Sequence, residues 1–284
     1  MVNAYAPVVM TRQVARLRDE LVSRGVKISV KQNNIFPTAI RGGDIALKNF
    51  DCDFCLYLDK DKYVARMLED RDIRLFNRAD AIEKCDDKMT TLIELAGSVP
   101  VPDTLPGLLC YYDDAVVPKH VLDDVQSRLG YPVIIKESYG SLGKGVYKAD
   151  NRLELEEVAN RLKNIPHLFQ KYIAQSHGKD MRVIVIGGEV VGGIIRSSDS
   201  DFRSNIGLGG KAQKTDVPHD IADMAVKASD ILGLDYCGID FLLSSTPLLC
   251  EVNSNAYFDG FEAATGINVA GLYAEHILHV MKNR

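Results

Sequence analysis

The segment 238–253 is the most informative part of this chain. Its pattern predicts two apolar strands joined by a turn that contains Ser, Thr and Pro, which is a β-hairpin. A turn centred between residues 245 and 246 sets Asp240 opposite Glu251, and Gly238 opposite Asn253. Alternate residues on a strand share a face, so Asp240, Glu251 and Asn253 are predicted to project together. Two opposed carboxylates on apolar strands repel each other unless a cation lies between them. The hairpin thus predicts a cation site; a solvent-facing strand end stays open, because a slip in register would turn Glu251 away.

The candidate ligands of this cation are carboxylate and amide oxygens, without His or Cys. Hard oxygen donors of this kind favour magnesium. Magnesium held by two carboxylates usually binds the phosphates of a nucleotide as well. We therefore expect phosphate-binding groups elsewhere in the chain.

A glycine-rich turn at 139–146 contains Gly140, Gly143 and Gly145 and lies between two predicted strands. Glycines permit positive φ and let backbone N–H groups approach phosphate oxygens closely. The turn is not a P-loop, because G-x-x-x-x-G-K-[ST] is unmatched and a strand follows. Lys136 ends the apolar strand before the turn, where its ammonium could reach the same phosphates. A plain turn and a strand-end lysine in solvent are the alternatives.

Two later segments add polar groups of the kind that bind nucleotides. Asp180 could accept a hydrogen bond from a ribose hydroxyl, and Arg182 could hold a phosphate or carboxylate, although surface charge is the commoner role of either residue in isolation. Arg203 precedes a glycine stretch at 207–210, where an arginine suits the clamping of a transferring phosphoryl group, with a solvent loop as the competing interpretation. Together with the hairpin, these elements predict phosphoryl transfer from Mg-ATP.

Composition and charge narrow the class of protein. The 284 residues are 46% apolar and 26% charged, and the net charge of −5 argues against broad nucleic-acid binding. No apolar run approaches the ~18–20 residues of a membrane span. The first residues lack the charged and apolar regions of a signal peptide, so we expect a cytoplasmic protein.

The six cysteines are interpreted as structural residues rather than as a redox or zinc site. Cys52 and Cys55 form a C-x-x-C pattern, but we place both on one buried strand, where positions i and i+3 point to opposite faces. The others, including Cys250, have no partner spacing and are interpreted as small core residues.

Alternating helix and strand patterns over about the first 85 residues predict an α/β fold with a small parallel sheet. A strand is expected at 27–30, and Asp86 is expected to open a helix at 88–95. The first strand looks short, which predicts that a full domain of this kind has further residues before it. The predicted domains are 1–85, 86–166 and 167–284, the last made mostly of strands.

Taken in order, the motifs resemble the ATP-grasp superfamily, and within it the RimK-like amino-acid (α-L-glutamate) ligases. The resemblance covers about residues 86–275 and rests on short segments in sequence order: Cys-Asp-Asp-Lys (85–88), Val-Ile-Ile-Lys (133–136), the glycine turn, Gln-x-Tyr-Ile (170–173), Gly-x-Asp-x-Arg (178–182), Asp-Phe-Arg-Ser-Asn (201–205) and Glu-Val-Asn (251–253). It implies an α/β fold of the ATP-grasp kind (α+β), with a small N-terminal parallel-sheet domain before two subdomains that sandwich ATP. The central subdomain would carry the glycine turn as a lid, and the C-terminal subdomain the metal site.

The resemblance also implies a role for each matched residue. Lys136 and Arg203 would be catalytic, and two magnesium ions, with manganese as an alternative, would be held by Asp240, Glu251 and Asn253. The ATP-binding set would be Lys88, Lys136, Gly140, Gly143, Gly145, Gln170, Lys171, Tyr172, Ile173, Asp180, Arg182, Arg203, Ser204 and Asn205. Within it, Lys88 and Lys136 would bind phosphates, residues 171–172 would form the adenine hinge, and Asp180 would contact the ribose.

Two departures from the family pattern stand out. The hinge usually carries Glu where this chain has Lys171. After Glu-Val-Asn, glutamate-adding relatives often read Ala-Ser-Pro-Gly, whereas this chain continues with Ser254, Asn255 and Ala256. Because that segment follows the metal site, we expect the acceptor or the donor to differ.

The implied function is an ATP-dependent carboxylate–amine ligase that works through an acyl phosphate and adds an amino acid such as glutamate to a small-molecule or peptide carboxylate. A kinase is disfavoured, because Lys136 precedes the glycine turn and the H-R-D and D-F-G motifs are absent. The alternative is a nucleotide-binding protein that regulates a partner without turnover. Neither nucleic acid nor membrane is an expected partner, and a homo-oligomer stays open.

Overall fold

The structure, a computed structural model, describes residues 2–3, 8–32, 38–48, 50–112, 114–141, 143–204 and 210–284. Over these residues helices alternate with strands in one four-stranded parallel sheet and two antiparallel sheets of four and five strands, with a separate two-stranded hairpin. The mixed helix and strand class predicted from the sequence is confirmed. The predicted site residue Asn205 and the glycines at 207 and 209 lie outside the described residues.

A parallel sheet forms the first part of the chain, in the order β2-β1-β5-β6. The elements are β1 (Val2–Asn3), α1 (Val8–Ser23), β2 (Lys31–Gln32), β3 (Thr38–Arg41), β4 (Asp44–Leu47), β5 (Phe54–Leu58), α2 (Lys62–Asp70), β6 (Arg74–Phe76) and α3 (Ala79–Asp86). The strand expected at 27–30 is wrong, because β1 offers only two residues for pairing and these align with Lys31 and Gln32. Cys52 precedes β5 and is exposed, whereas Cys55 lies on the buried strand, so the placement of Cys52 on that strand is wrong.

The middle part forms an antiparallel sheet in the order β7-β10-β8-β9. Its elements are α4 (Lys88–Leu95), β7 (Thr104–Pro106), α5 (Lys119–Leu129), β8 (Val133–Glu137), β9 (Val146–Ala149), α6 (Arg152–Leu162) and β10 (His167–Lys171). Asp87 caps α4, because its Oδ1 accepts from the N–H groups of Met89 (2.9 Å) and Thr90 (3.3 Å). The expectation that Asp86 opens this helix is therefore wrong by one residue; Asp86 ends α3.

The last part forms a five-stranded antiparallel sheet in the order β13-β12-β11-β14-β15. A short 3-10 helix, Ala174–Ser176, precedes it. Its elements are β11 (Lys179–Ile186), β12 (Glu189–Ser197), β13 (Lys211–Thr215), α7 (His219–Leu232), β14 (Tyr236–Leu242), β15 (Leu248–Asn253), α8 (Asp259–Thr265) and α9 (Val269–Lys282).

Helices cover both faces of this sheet, and successive side chains of β11 point alternately to one face and to the other. Ile184 and Ile186 pack into a core with α1, α8 and α9, whereas Val183 and Val185 pack into a second core with α7. Asp180 and Arg182 share the parity of Ile184, so the same face changes from apolar to ionic towards the start of β11. That change marks the place of the candidate site.

No helix in the described ranges is long and apolar enough to cross a membrane. The division into domains remains a proposal. The pairing of β10 with β8 places His167–Lys171 in the middle sheet.

Candidate active site

The hairpin pairs as predicted at its carboxylates, with Asp240 opposite Glu251 and Gly238 opposite Asn253. Nearer the turn the register shifts by one residue at a β-bulge, where Phe241 lies opposite Leu249. The bulge absorbs one residue of β15 and bends the strand. The assumed turn centre is therefore wrong by half a residue, while the predicted pairing at the site is correct.

Cys250 is the extra residue of this bulge and is half-buried at the edge of a cleft. The interpretation of Cys250 as a core residue is therefore wrong. Burial raises the pKa of its thiol, although the neighbouring Lys136 opposes that shift.

The cleft lies between the sheet of β8–β10 and the sheet of β11–β15, with an empty volume of about 860 Å³ that includes its open mouth. Most of the predicted site residues line it: Lys88, Lys136, Gly140, Gly143, Gln170, Lys171, Tyr172, Ile173, Asp180, Arg203, Ser204, Asp240 and Glu251. Gly145, Arg182 and Asn253 lie just outside this lining.

Two lysines point into the cleft, and each is only 8% exposed. Lys136 Nζ lies 3.2 Å from Cys250 Sγ, so the alternative of a strand-end lysine in solvent is wrong. Lys88 Nζ donates to the carbonyl oxygen of Gly140 at 2.9 Å. Burial lowers the pKa of Lys88, with Glu251 opposing the shift. Both ammonium groups are thus desolvated and open to an anionic partner.

The glycine turn is held from two sides. Lys88 bonds the carbonyl of Gly140, and Arg203 Nη1 donates to the carbonyl of Gly143 at 2.7 Å. Gly145 has φ +71°, and a Cβ there would lie 2.7 Å from Glu137, so this position requires glycine. Arg203 also pairs with Asp201, which fixes its guanidinium beside the turn.

A buried ion-pair network crosses three neighbouring strands beneath the turn. Asp180 on β11 lies opposite Arg196 on β12, and Arg182 on β11 lies opposite Asp240 on β14. Arg182 bonds both oxygens of Asp240 at 2.7 Å, and Arg196 bonds both oxygens of Asp180 at 2.7 and 2.5 Å. Arg196 Nη2 also lies 2.8 Å from Asp240 Oδ2, which joins the two pairs. Ser204 Oγ donates to Asp180.

Burial makes these charges depend on one another. Arg196 is 3% exposed and Asp240 is 4% exposed. Burial would raise the pKa of Asp240, but Arg182 and Arg196 outweigh it and hold that pKa below its ordinary value. Burial likewise opposes the charge on Arg196, but Asp240 and Asp180 raise its pKa. The interpretation of Arg182 and Asp180 as surface charge is therefore wrong.

Arg196 was not singled out by the sequence analysis. One sequence feature indicates that Arg196 is buried. It lies two residues after Ile194 on an apolar strand, so both side chains point to the same face of the sheet. Asn77 was missed as well. Its side chain is 2% exposed, donates to the carbonyls of Tyr236 and Ser254, and accepts from the N–H groups of Asp235 and Tyr236.

The segment that departs from the family pattern is fixed by the first part of the chain. Asn77 Nδ2 lies 2.6 Å from the Ser254 carbonyl oxygen, and Gln13 Nε2 on α1 lies 3.2 Å from that of Ala256. Gly238 is opposite this segment, where a Cβ would lie 2.6 Å from that of Ala256. Residues 254–256 therefore lie between α1 and the large sheet, directly after the paired carboxylates.

The carboxylates fit a magnesium that shares its coordination with a ligand. Asp240 and Glu251 are direct cross-strand partners that line the cleft, and Asn253 follows Glu251 on the same face. Within the described ranges no group of three or more His, Cys, Asp or Glu side chains could form a metal cage alone. Such a donor set suits magnesium bound through two carboxylates and the phosphates of a nucleotide.

The opposite end of the cleft is formed by residues 170–173. Gln170 is 2% exposed and donates to Thr104 Oγ1 at 3.0 Å. Lys171 turns outward to Asp103, with Nζ 3.1 Å from Oδ2, and its backbone N–H donates to the Asp103 carbonyl at 2.9 Å. The lysine that departs from the family pattern is thus paired at the surface. Tyr172 bonds His177 through its hydroxyl.

Comparison with known proteins finds a family model, the RimK-like ATP-grasp domain, that matches residues 85–277. N-acetylaspartylglutamate synthase A of Homo sapiens is 38% identical over 231 residues, which are 80% of this chain and 58% of that protein. Beta-citrylglutamate synthase B of Homo sapiens is 38% identical over 223 residues, which are 77% of this chain and 56% of that protein. The chain therefore spans less than three fifths of the length of these relatives.

Among solved structures, the ATP-grasp ligase PsnB, complexed with a phosphomimetic variant of its minimal precursor, Mg and ADP, matches with a TM-score of 0.69. The match covers 98% of this chain and 96% of that one at 18% identity, which shows a common fold. The fold class and the resemblance inferred from the motifs are confirmed. With the family match over residues 85–277, the chain belongs to the RimK-like ATP-grasp family.

Proposed function

We propose that this chain is an ATP-dependent carboxylate–amine ligase that joins glutamate, or a similar amino acid, to a carboxylate acceptor. The observation that carries the proposal is the charge of the cleft. The cationic side chains that line it are Lys88, Lys136, Lys144, Lys179, Arg196 and Arg203, against the three carboxylates Asp180, Asp240 and Glu251. A cationic cleft in a chain of net charge −5 suits a polyphosphate, and the paired carboxylates suit its metal.

In this proposal the ATP lies along the cleft. Residues 170–173 hold the adenine, and Asp180 accepts from the ribose through a lone pair of Oδ1, since Oδ2 already accepts from two donors. Lys88, Lys136 and the N–H groups of the glycine turn hold the phosphates. Arg203 is already beside the turn through Gly143 and takes charge that develops on the transferring group.

The metal would be one or two magnesium ions, which manganese could replace. Its ligands would be Asp240, Glu251 and Asn253. It would neutralise charge on the phosphoryl group during transfer. Every other task falls to side chains of this chain, which bind, orient and exclude water. The glycine turn closes over the reacting groups while Lys88 and Arg203 hold it.

The proposed reaction has two steps. An oxygen of the acceptor carboxylate attacks the γ-phosphorus, the bond to the bridging oxygen breaks, and ADP leaves. The amine nitrogen then attacks the carbonyl carbon of the acyl phosphate, inorganic phosphate leaves, and the nitrogen loses a proton. An amide forms at the expense of one ATP.

The relatives support glutamate as the amine. The names of both human relatives contain glutamate, and they differ in the group joined to it, N-acetylaspartyl in one and citryl in the other. We therefore assign the acceptor to a small-molecule or peptide carboxylate, with the segment 254–256 as the place where its identity is set. We further propose that the protein is cytoplasmic. Its oligomeric state is to be measured.

Nucleotide binding is expected to take up protons in alkaline solution. Burial holds the pKa of Lys88 below its ordinary 10.5, and polyphosphate beside the ammonium would raise it again. Between those two pKa values Lys88 gains a proton when the nucleotide binds. Titration calorimetry with a non-hydrolysable ATP analogue, in buffers of different ionisation enthalpy at several pH values near and below 10.5, measures the uptake. Proton uptake of unchanged size in Lys88→Met would contradict the assignment.

The test of the function is an ADP-release screen with Mg-ATP, glutamate and other amino acids, each paired with candidate carboxylates, followed by product mass. ADP that appears only with an amine and a carboxylate together, with an amide of the expected mass, supports the ligase. Nucleotide binding without turnover under every pair would favour a regulatory protein instead.

A further inference from the structure

Asp240 is already neutralised by the chain itself. Its Oδ1 accepts from Arg182 Nε, and its Oδ2 accepts from Arg182 Nη2 and Arg196 Nη2, at 2.7, 2.7 and 2.8 Å. The carboxylate is 4% exposed, so water does little to screen these contacts. A divalent cation at Asp240 must therefore compete with two guanidinium groups.

The charge around the cleft opposes a cation on its own. Apart from Asp240, the lining offers Glu251 and Asp180 as anions, and Asp180 already accepts two bonds from Arg196 and one from Ser204. Lys88 and Lys136 also line the cleft, and each is nearly buried. The negative charge needed to bind a dication is thus lacking until an anionic ligand arrives.

The two arginines are not equivalent. Arg182 holds both oxygens of Asp240, whereas Arg196 reaches that carboxylate with a single nitrogen. Arg196 keeps two bonds to Asp180 if it lets go of Asp240. Breaking that one contact therefore leaves neither arginine unpaired, which makes it the least costly contact to lose.

We propose that Arg196 is a positioning residue that keeps the metal site closed to free divalent cations, and that the metal enters only with the nucleotide, when Arg196 releases Asp240. This inference rests on the nucleotide and metal part of the proposed function and is independent of the amine and the acceptor. Its consequence is strong coupling: nucleotide tightens metal binding, and metal tightens nucleotide binding by the same factor.

The test uses the full chain and Mn²⁺, whose free concentration is read by electron paramagnetic resonance. In the wild-type protein, Mn²⁺ binding is expected to be roughly 10- to 100-fold tighter with a non-hydrolysable ATP analogue than without it. In Arg196→Met, nucleotide-free binding is expected to tighten by about tenfold, because the competing charge is gone while the ligands remain. Arg196→Lys keeps a positive charge and should restore weak binding.

The matched control is Arg74→Met. Arg74 is also a largely buried arginine that bonds both oxygens of a buried carboxylate, Asp235, but it lies outside the cleft. Nucleotide-free Mn²⁺ binding should stay at the wild-type level in this control. Circular dichroism and thermal unfolding of each variant show whether it is folded.

Two outcomes would overturn the inference: wild-type protein that binds the nucleotide yet binds Mn²⁺ equally tightly with and without it, once the Mn²⁺ held by free nucleotide is subtracted, or Arg196→Met binding that is no tighter than wild type. The wild-type comparison stands even if Arg196→Met does not fold. Failure of the wider proposal looks different, since the protein would then bind no nucleotide, while Arg196→Met would still gain Mn²⁺ affinity.

Discussion

Glu251→Gln is expected to abolish ADP formation while the protein stays folded. Glu251 faces Asp240 across the hairpin and lines the cleft, so in the proposed function its carboxylate would help to hold the metal that neutralises the transferring phosphoryl group. The amide keeps the shape but loses the charge, and we expect turnover to fall by about 10²- to 10³-fold. Because Glu251 is only half-buried, the free energy of unfolding should change by about 1 kcal/mol or less.

Coupled-enzyme detection of ADP and thermal unfolding measure these two effects on the same preparation. Glu157→Gln is the matched control, since Glu157 is exposed on α6 and away from the cleft. The control should keep wild-type turnover. Full activity of Glu251→Gln would remove the hairpin from the proposed mechanism.

Asp240→Asn is expected to abolish turnover and also to destabilise the fold. The amide would leave Arg182 and Arg196 buried without the carboxylate that both contact. Breaking a buried ion pair on one side costs about 3–5 kcal/mol, so denaturant unfolding should show a loss of that order. The two carboxylates of the hairpin are thus expected to differ: in the proposed function Glu251 would serve the reaction alone, whereas Asp240 would serve both the reaction and the fold.

The loss should depend on pH. The pKa of Asp240 is held below its ordinary 3.8 in the folded protein, so its contribution to stability is present above that value and disappears as the pH falls through the folded pKa. Wild type and Asp240→Asn should therefore differ most near neutral pH and converge in acid. Asp199→Asn, which breaks an exposed ion pair with Lys211, should cost about 1 kcal/mol or less. An Asp240→Asn protein as stable as wild type would contradict the buried network.

The hairpin could be predicted from the sequence because face alternation along a strand is a local property. The pairing of Asp240 with Glu251 is correct for that reason. The bulge at Cys250 could not be predicted, because an extra residue on one strand leaves no mark in an apolar pattern. The assumed turn centre is wrong by half a residue, but the bulge shifts the register by one residue, so the pairing at the carboxylates is still correct.

The ion-pair network could not be predicted, because it depends on strand order. Asp180 meets Arg196, and Arg182 meets Asp240, only because β11 lies between β12 and β14. In the sequence of a single strand, a polar residue among apolar ones is equally typical of a buried ion pair and of a strand end at the protein surface. The same limit explains why the strand expected at 27–30 is wrong. The strand lies instead at Lys31–Gln32, where it pairs with the two residues of β1 near the start of the chain.

The most direct test of the central claim follows an oxygen atom. The acceptor carboxylate is labelled with ¹⁸O, the reaction is run with Mg-ATP and glutamate, and inorganic phosphate is analysed by mass spectrometry. We expect ADP, an amide, and phosphate that carries one ¹⁸O per amide formed, since the attacking carboxylate oxygen leaves with the phosphate. Unlabelled phosphate alongside the amide would contradict activation of the carboxylate by phosphoryl transfer.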